Sequence, residues 1–436
     1  MMQTPNPTSF SWKELFHRLF PSGNPQKNNP FPSLSHPHGI ILGVNPETSH
    51  LLVYDGPENV LLVGPSRSGK GIGTVIPTAL AWENSAVFFD STGALWERTS
   101  GYRKRTLHQK VIKFAPLGAP GETLQWNPFA EIRVGTMEED ADTRLMATCL
   151  LDLNPAPRTE REQAVFQHHV EVLANVIHLL VHREQERGSF PSFIDLLAVV
   201  ETSDSSFYGL TKAEQAYIRA ALCHYRNPDI LRNTTCWDFT TDAILNAPQP
   251  VSFYLVSSIS GIQTAQPVMR LFLSFFHARL LEREQADEAN RLLLVLDDFL
   301  HLGHMPELPQ LLLRAPKLGF QCLLTAHSIE AIEGCYLDTR YLLDSCKVQV
   351  YHKPDGPATA ARIARLLEAY TEKTQPAILE NIQTMSSNTE YLFLSACQPV
   401  LADRFRYYLH PELVSDTELP PASVYPEPEE CPVMLS

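Results

Sequence analysis

The residues of this chain best suited to chemistry are Gly64, Pro65, Ser66, Arg67, Ser68, Gly69 and Lys70, which read as a GxxxxGK pattern. They follow the apolar run Val60-Leu61-Leu62-Val63 and precede Gly71-Ile72-Gly73-Thr74-Val75. The flanks predict a strand before the loop and a helix after it. Glycines let the backbone turn tightly, so that its N–H groups point inward at an anion. The helix presents its positive N-terminus to the same anion. Lys70 then reaches the terminal phosphates of a nucleotide as a point charge. The plain alternative is a Gly-rich turn carrying a solvated lysine.

Such a loop needs an acidic partner. Arg291-Leu292-Leu293-Leu294-Val295-Leu296 ends in Asp297-Asp298. A continuous apolar run fits a central parallel strand buried on both faces. Carboxylates at the C-terminal edge of such a strand sit beside the phosphate loop, where they hold Mg²⁺. Asp297 is the metal-side candidate, and Asp298 is placed to orient the attacking water. A strand ending in a solvated Asp pair is the plain alternative.

These elements need a scaffold. The 436 residues allow two or three domains, and a hydrophobic content of 44% supplies a sizeable core. No run approaches the ~18 apolar residues of a membrane span. The longest candidate, 172–181, is interrupted by Asn175 and His178. The N-terminal MMQTPNPTSF lacks the basic and apolar regions of a secretory signal. Eight cysteines without a CxxC pair read as reduced thiols. Net charge is −14, with −8 in residues 135–245 and −5 in residues 414–436. Bulk electrostatics exclude both segments as phosphate-binding surfaces. The densest basic cluster is Arg98, Arg103, Lys104, Arg105, Lys110 and Lys113; a solvated helix-and-loop face is its simpler reading.

The pattern predicts a Pro-rich segment over 1–37, poorly ordered, in which Trp12, Leu15, Phe16, Leu19 and Phe20 share one helical face. That face suits a partner, a membrane surface or the chain's own core. Residues 39–54 read as a hairpin. Strands are expected at 60–63, 85–90, 110–114, 251–256, 291–296, 320–325, 348–351 and 391–394, with helices between. This is an α/β doubly wound pattern. Helices over 135–245 form an all-α insertion within one nucleotide-binding domain of residues 38–134 and 246–413. An acidic, disordered tail is expected over 414–436.

The sequence resembles the TraG-type coupling proteins of type IV secretion, which are RecA-like motor ATPases. The resemblance rests on GPSRSGKGIGTVIP (64–77), WNPFAEI (126–132), YRNPDILRNTTCWDF (225–239), PVSFYLVSS (250–258), LLVLDDFLHLGHMPEL (293–308) and the strand pair at 391–408. Gly71, where most phosphate loops carry Ser or Thr, also matches. The resemblance implies a RecA-like P-loop nucleotide-binding domain with an all-α insertion, using ATP and Mg²⁺. It further implies a homo-hexamer with nucleotide between subunits and single-stranded DNA in a central channel. Relaxase or accessory transfer proteins and a secretion channel at the inner membrane are the implied partners. Location follows as bacterial cytoplasm, peripheral at that membrane; the family's N-terminal membrane helices have no counterpart here.

Three positions depart from the family pattern. Ser91-Thr92-Gly93-Ala94 replaces Pro-Lys-Gly-Glu after Asp90; Asp298 replaces Glu; His327 stands where a γ-phosphate-sensing Gln is usual. These changes bear on turnover more than on binding. A His at 327 implies a rate that varies between about pH 5.5 and 7.5. Two functions therefore stand: a DNA-transfer motor, and a nucleotide-gated adaptor with little turnover. A RecA-like DNA pump outside secretion is a third. His178 with His182, and His301 with His304, lack a third metal ligand in the sequence. Arg314 is a candidate arginine finger or a surface arginine, and Cys322 a small core residue.

Lys70→Ala should abolish tight ATP binding, because it removes the charge that pairs with the terminal phosphates. Calorimetric titration at unchanged helix content checks it; unchanged affinity would remove the phosphate-loop assignment.

Overall fold

The computed structural model describes residues 39–153, 158–202, 209–283, 291–395 and 397–425. The N-terminal segment with its apolar helical face lies outside them. Among the described residues, eleven strands form one sheet: β1 (Ile40–Val44), β2 (Leu51–Tyr54), β3 (Val60–Val63), β4 (Ala86–Asp90), β5 (Lys110–Phe114), β6 (Val251–Val256), β7 (Leu292–Leu296), β8 (Phe320–Ala326), β9 (Val348–His352), β10 (Thr389–Leu394) and β11 (Val400–Asp403). Their order is β2-β1-β11-β10-β9-β3-β8-β7-β4-β6-β5. From β9 to β5 every pairing is parallel; from β9 to β2 every pairing is antiparallel.

The strands form because both faces are buried. Leu61, Val63, Val87 and Phe89 point into one core, and Val60, Leu62, Ala86 and Phe88 into the other. One face is covered by α1 (Ile76–Ala81) and α2 (Ala94–Arg105). The other carries the insertion helices α3 (Glu139–Leu151), α4 (Glu160–Glu186), α5 (Phe193–Glu201), α6 (Lys212–Ala221), α7 (Pro228–Asn233) and α8 (Thr241–Leu245), followed by α9 (Ile262–Leu281). Helix α4 has the length and hydropathy of a membrane span. Phe166, Val170, Leu173, Ile177, Leu180 and Val181 are nevertheless buried in this core, so packing explains its apolar stripe. The insertion shares its core with the sheet rather than enclosing a separate one.

The insertion's neck is polar and buried. Glu131 accepts from Trp126 Nε1 at 2.7 Å and from the backbone N of Thr241 at 2.9 Å, joining entry to exit. Asn127 donates to the carbonyls of Pro191 and Thr235, and Asn233 to those of Pro116 and Gly118. Asp142 at the start of α3 binds Arg279 of α9 at 2.9 Å and Arg133 at 2.9 Å. The WNPFAEI and YRNPDILRNTT motifs therefore build the buried neck of the insertion.

Two expectations are corrected. The tail is not disordered from residue 414: helix α10 spans Leu308–Arg314, α11 Ile329–Cys335, α12 Thr339–Ser345, α13 Pro357–Glu368 and α14 Gln375–Thr384, and α15 follows at Pro411–Thr417. Past α15 the chain docks on α2. The backbone N of Ala422 donates to Ser100 at 3.1 Å, Arg105 donates to the carbonyl of Pro420, and Leu419 and Val424 pack against the core. Residues 426–436 lie outside the described residues. Arg103, assigned to an exposed basic cluster, is 0% exposed. It donates to the carbonyls of Ala79, Trp82 and Asn84 and to Ser252, and it lies over the Phe88 ring. It closes the C-terminal end of α1, whose carbonyls otherwise lack partners.

Arg103→Met should lower unfolding free energy by on the order of 3 kcal/mol, because several buried acceptors lose their donor. The exposed Arg98→Ala should change it by less than about 0.5 kcal/mol. Urea unfolding of both variants tests this.

Candidate nucleotide-binding site

Strand β8 lies between β3 and β7, with Val63 beside Ala326 and Leu296 beside Leu324. The C-terminal ends of the three strands therefore meet at one edge. The loop after β3, the Asp pair after β7 and His327 after β8 converge there. Arg67 and Gly69 take positive φ, 60° and 90°, folding the loop back on itself. At Gly64 any side chain would strike Ser68 and His352, so close packing requires glycine. Gly71–Val75 opens the following helix with a π-helical turn. A Cβ at Gly71 would meet nothing within 4 Å, so space does not demand that glycine.

Lys70 is 6% exposed. Its ammonium donates to the carbonyl of Gly64 at 2.8 Å and lies 3.3 Å from His327 Nδ1 and 3.5 Å from Asp298 Oδ1. His327 Nδ1 also meets Ser66 Oγ at 3.4 Å. Burial holds the His327 ring below its ordinary range against the pull of Asp298, which favours the neutral imidazole. Asp298 has φ 49°, a left-handed conformation that Asp tolerates better than most residues. Beside Asp298 and His327 an open cleft of 320 Å³ is lined by Leu300, His301, Ala331 and Cys335.

Thr325 was not singled out from the sequence, yet it links the acidic pair. Its hydroxyl accepts from the backbone N of Asp298 at 2.7 Å and donates to Asp297 Oδ1 at 2.7 Å. Asp297 is half-buried, and desolvation together with the neighbouring Asp298 charge pushes its carboxyl up to about 7. This half-buried, singly hydrogen-bonded carboxylate beside a second one fits a divalent cation, which supplies the missing positive charge. Asp90, at the end of β4, instead caps α2, accepting from the backbone N of Gly93 and of Trp96, each at 2.8 Å. The departure at Thr92 and Ala94 thus keeps a helix cap.

A second layer backs the loop. Ser68 Oγ meets His352 Nδ1 at 2.9 Å, and His352 Nε2 meets Glu390 Oε2 at 3.0 Å. Burial pushes His352 down to about 3 and Glu390 well above the ordinary carboxylate range. The pair is therefore held neutral, sharing one proton.

The remaining candidates separate. His301 joins Asp298 and His327, whereas His304 packs on Tyr336 with ring centroids 4.9 Å apart. Arg314 is exposed at the C-terminal end of α10, with a 3.5 Å contact to the carbonyl of Leu281. Cys322 is buried in β8. His178 and His182 acquire a third neighbour, Glu139.

The model of the type IV secretory system conjugative DNA transfer family matches residues 38–206 and 211–391. The chain belongs to that family. It is 28% identical over 385 residues to a conjugal transfer protein TraG of Escherichia coli, covering 79% of this chain and 59% of that protein. It is 24% identical over 440 residues to VirD4 of Rhizobium radiobacter, covering 86% and 60%. The chain thus spans about three fifths of the curated relatives it matches. Among solved structures, an unbound form of the conjugative coupling protein TrwB lacking its first 70 residues superposes with TM-score 0.66, 16% identity and coverage of 90% and 92%. TrwB in complex with ADP and Mg²⁺ superposes with TM-score 0.64 and 16% identity, covering 83% and 89%. The fold is RecA-like α/β with a helical insertion. In this family member, the loop after β3 and the ends of β7 and β8 place Lys70, Asp297, Asp298 and His327 in one group. Thr325, His352 and Glu390 lacked any motif in the sequence; of the three, only His352, the last buried residue of its strand, offered a local signal.

The His352–Glu390 pair makes stability pH-dependent. Folded, the pair keeps one proton; unfolded, it keeps none well above about pH 6.5, one between about 4.5 and 6.5, and two below. Its contribution is therefore greatest between about 4.5 and 6.5. It falls by about 1.4 kcal/mol per pH unit on either side. The double variant His352→Gln, Glu390→Gln should lessen the loss of stability as pH rises above about 6.5, read from urea unfolding.

Proposed function

We propose that this chain is the ATP-binding motor portion of a coupling protein that draws a relaxase–DNA or protein substrate into a type IV secretion channel. The observation that carries the reading is the convergence of Lys70, Asp297, Asp298 and His327 on one phosphate loop within a coupling-protein fold. Backbone N–H groups of Gly64 to Gly71 cradle the phosphates, and Lys70 leaves its loop carbonyls to pair with them. Asp297 holds Mg²⁺, with no P-loop hydroxyl to help at Gly71. The metal, when bound, neutralises phosphate charge. Asp298 accepts the proton side of the attacking water, and His327, neutral and adjacent to Lys70, reads the terminal phosphate. Ser66 and Ser68 fix the loop through His327 and His352.

The proposal extends to the wider assembly: a homo-hexamer, single-stranded DNA along its axis, relaxase or accessory transfer proteins as cargo, and a position at the cytoplasmic side of the bacterial inner membrane. The acidic insertion supports recruitment of a basic partner by charge rather than of DNA. A nucleotide-gated adaptor remains a specific second reading, because Asp298 is one methylene short and His327 lacks the amide's fixed donor and acceptor.

The two readings separate in steady-state ATPase assays with and without single-stranded DNA. The motor reading predicts slow turnover that DNA stimulates and that Asp298→Glu with His327→Gln raises. Turnover below detection in both, with ATP binding intact, supports the adaptor. A fast wild type slowed by the double change would show the two residues to be adaptations.

A further inference from the structure

We propose that Glu139, His178 and His182 form a zinc site on the helical insertion, apart from the nucleotide site. His178 and His182 stand one helical turn apart on α4, on the same face, with ring centroids 4.5 Å apart. Glu139 opens α3 and brings one carboxylate oxygen, Oε1, to 2.8 Å from His178 Nδ1 and 2.7 Å from His182 Nε2. Two imidazoles and one carboxylate thus present a ligand atom each within a sphere of 4.8 Å.

The carboxylate is built in rather than incidental. Glu139 is buried, and its other oxygen accepts from the backbone N of Gly135 at 2.6 Å. That bond leaves Oε1 aimed at the two rings. The histidines are less enclosed, with side chains 43% and 42% exposed. An ion can reach the group from solvent, and a water can complete a fourth position.

The chemistry selects the ion. Two imidazole nitrogens and one carboxylate oxygen suit zinc, whose three-ligand sites keep an open fourth place. Magnesium prefers an oxygen shell. Bonds of ~2.0–2.1 Å in a tetrahedron put ligand atoms roughly 3.3 Å apart, so the triad opens by about half an ångström to admit zinc. Each ring then turns its lone pair inward and carries its proton on the outer nitrogen, so no proton need be released. The surrounding charge is favourable: residues 135–245 carry −8, and the nearby Arg183 is paired with Glu184 at 2.8 Å. The ion would tie the start of α3, beside the neck residues Arg133 and Asp142, to the C-terminal part of α4.

The test uses the whole chain, stripped with chelator and free of nucleotide, titrated with Co²⁺ and then Zn²⁺ alone. Cobalt reports geometry through its visible bands, and elemental analysis gives equivalents. The proposal expects one equivalent bound with Kd tighter than about 10 µM, tetrahedral cobalt bands displaced by zinc, and a rise in Tm with zinc. Glu139→Gln and His182→Gln, each retaining wild-type ATP affinity as proof of folding, should lose the bands. Should either fail to fold, the half-exposed His178→Gln takes its place. His301→Gln should keep them, because Asp298, His301 and His327 form a separate cluster. The absence of a stoichiometric site, retention of the bands in the Glu139 and His182 variants, or their loss in His301→Gln would each overturn the proposal.

Discussion

One residue, Thr325, ties together the adjacent carboxylates on which the site depends. Asp297 and Asp298 are adjacent carboxylates at the end of a buried strand, a placement that burial and mutual repulsion both oppose. The Thr325 hydroxyl accepts from the backbone of one and donates to the carboxylate of the other. It can do so only because β8 runs parallel between β3 and β7, in register, and ends at the same edge. The strand order therefore comes before the site. Without β8 beside β7, Asp297 would lack its hydrogen-bond donor.

The same edge explains the loop's rigidity. His352 and Glu390, from β9 and β10, reach Ser68 from the side opposite β8. The phosphate loop is thus held between a polar, partly charged cluster at His327 and a neutral buried pair at His352. The insertion is attached differently. Its neck is tied by Glu131, Asn127, Asn233 and the Asp142–Arg279 pair, all buried, and α9 links that neck to the sheet. Rearrangement at the end of β6 or along α9 has a short polar path into the insertion.

Much of this was legible in the sequence because it rests on local pattern. Apolar runs gave each parallel strand, and Gly64 to Lys70 declared its backbone geometry through composition. The helical block at 139–245 showed its period. What stayed hidden depends on contacts between distant positions. Ser68 and His352 are 284 residues apart, and Glu139 and His182 are 43 apart. The histidine pair on α4 looked incomplete because its carboxylate lies on another helix. Arg103 read as surface because charge was counted along the chain, while its guanidinium in fact caps a neighbouring helix. Residues 414–425 read as disordered from their acidic and proline content, yet Leu419, Ala422 and Val424 find an apolar groove on α2.

The central claim is that Asp297, set by β7 and Thr325, is the metal side of an ATP site whose phosphate side is Lys70. Its most direct test is ATP affinity with and without Mg²⁺, measured calorimetrically on wild type and on Asp297→Asn. The account predicts that the variant keeps metal-free binding and loses the increment that Mg²⁺ adds. An undiminished Mg²⁺ increment in Asp297→Asn would contradict it.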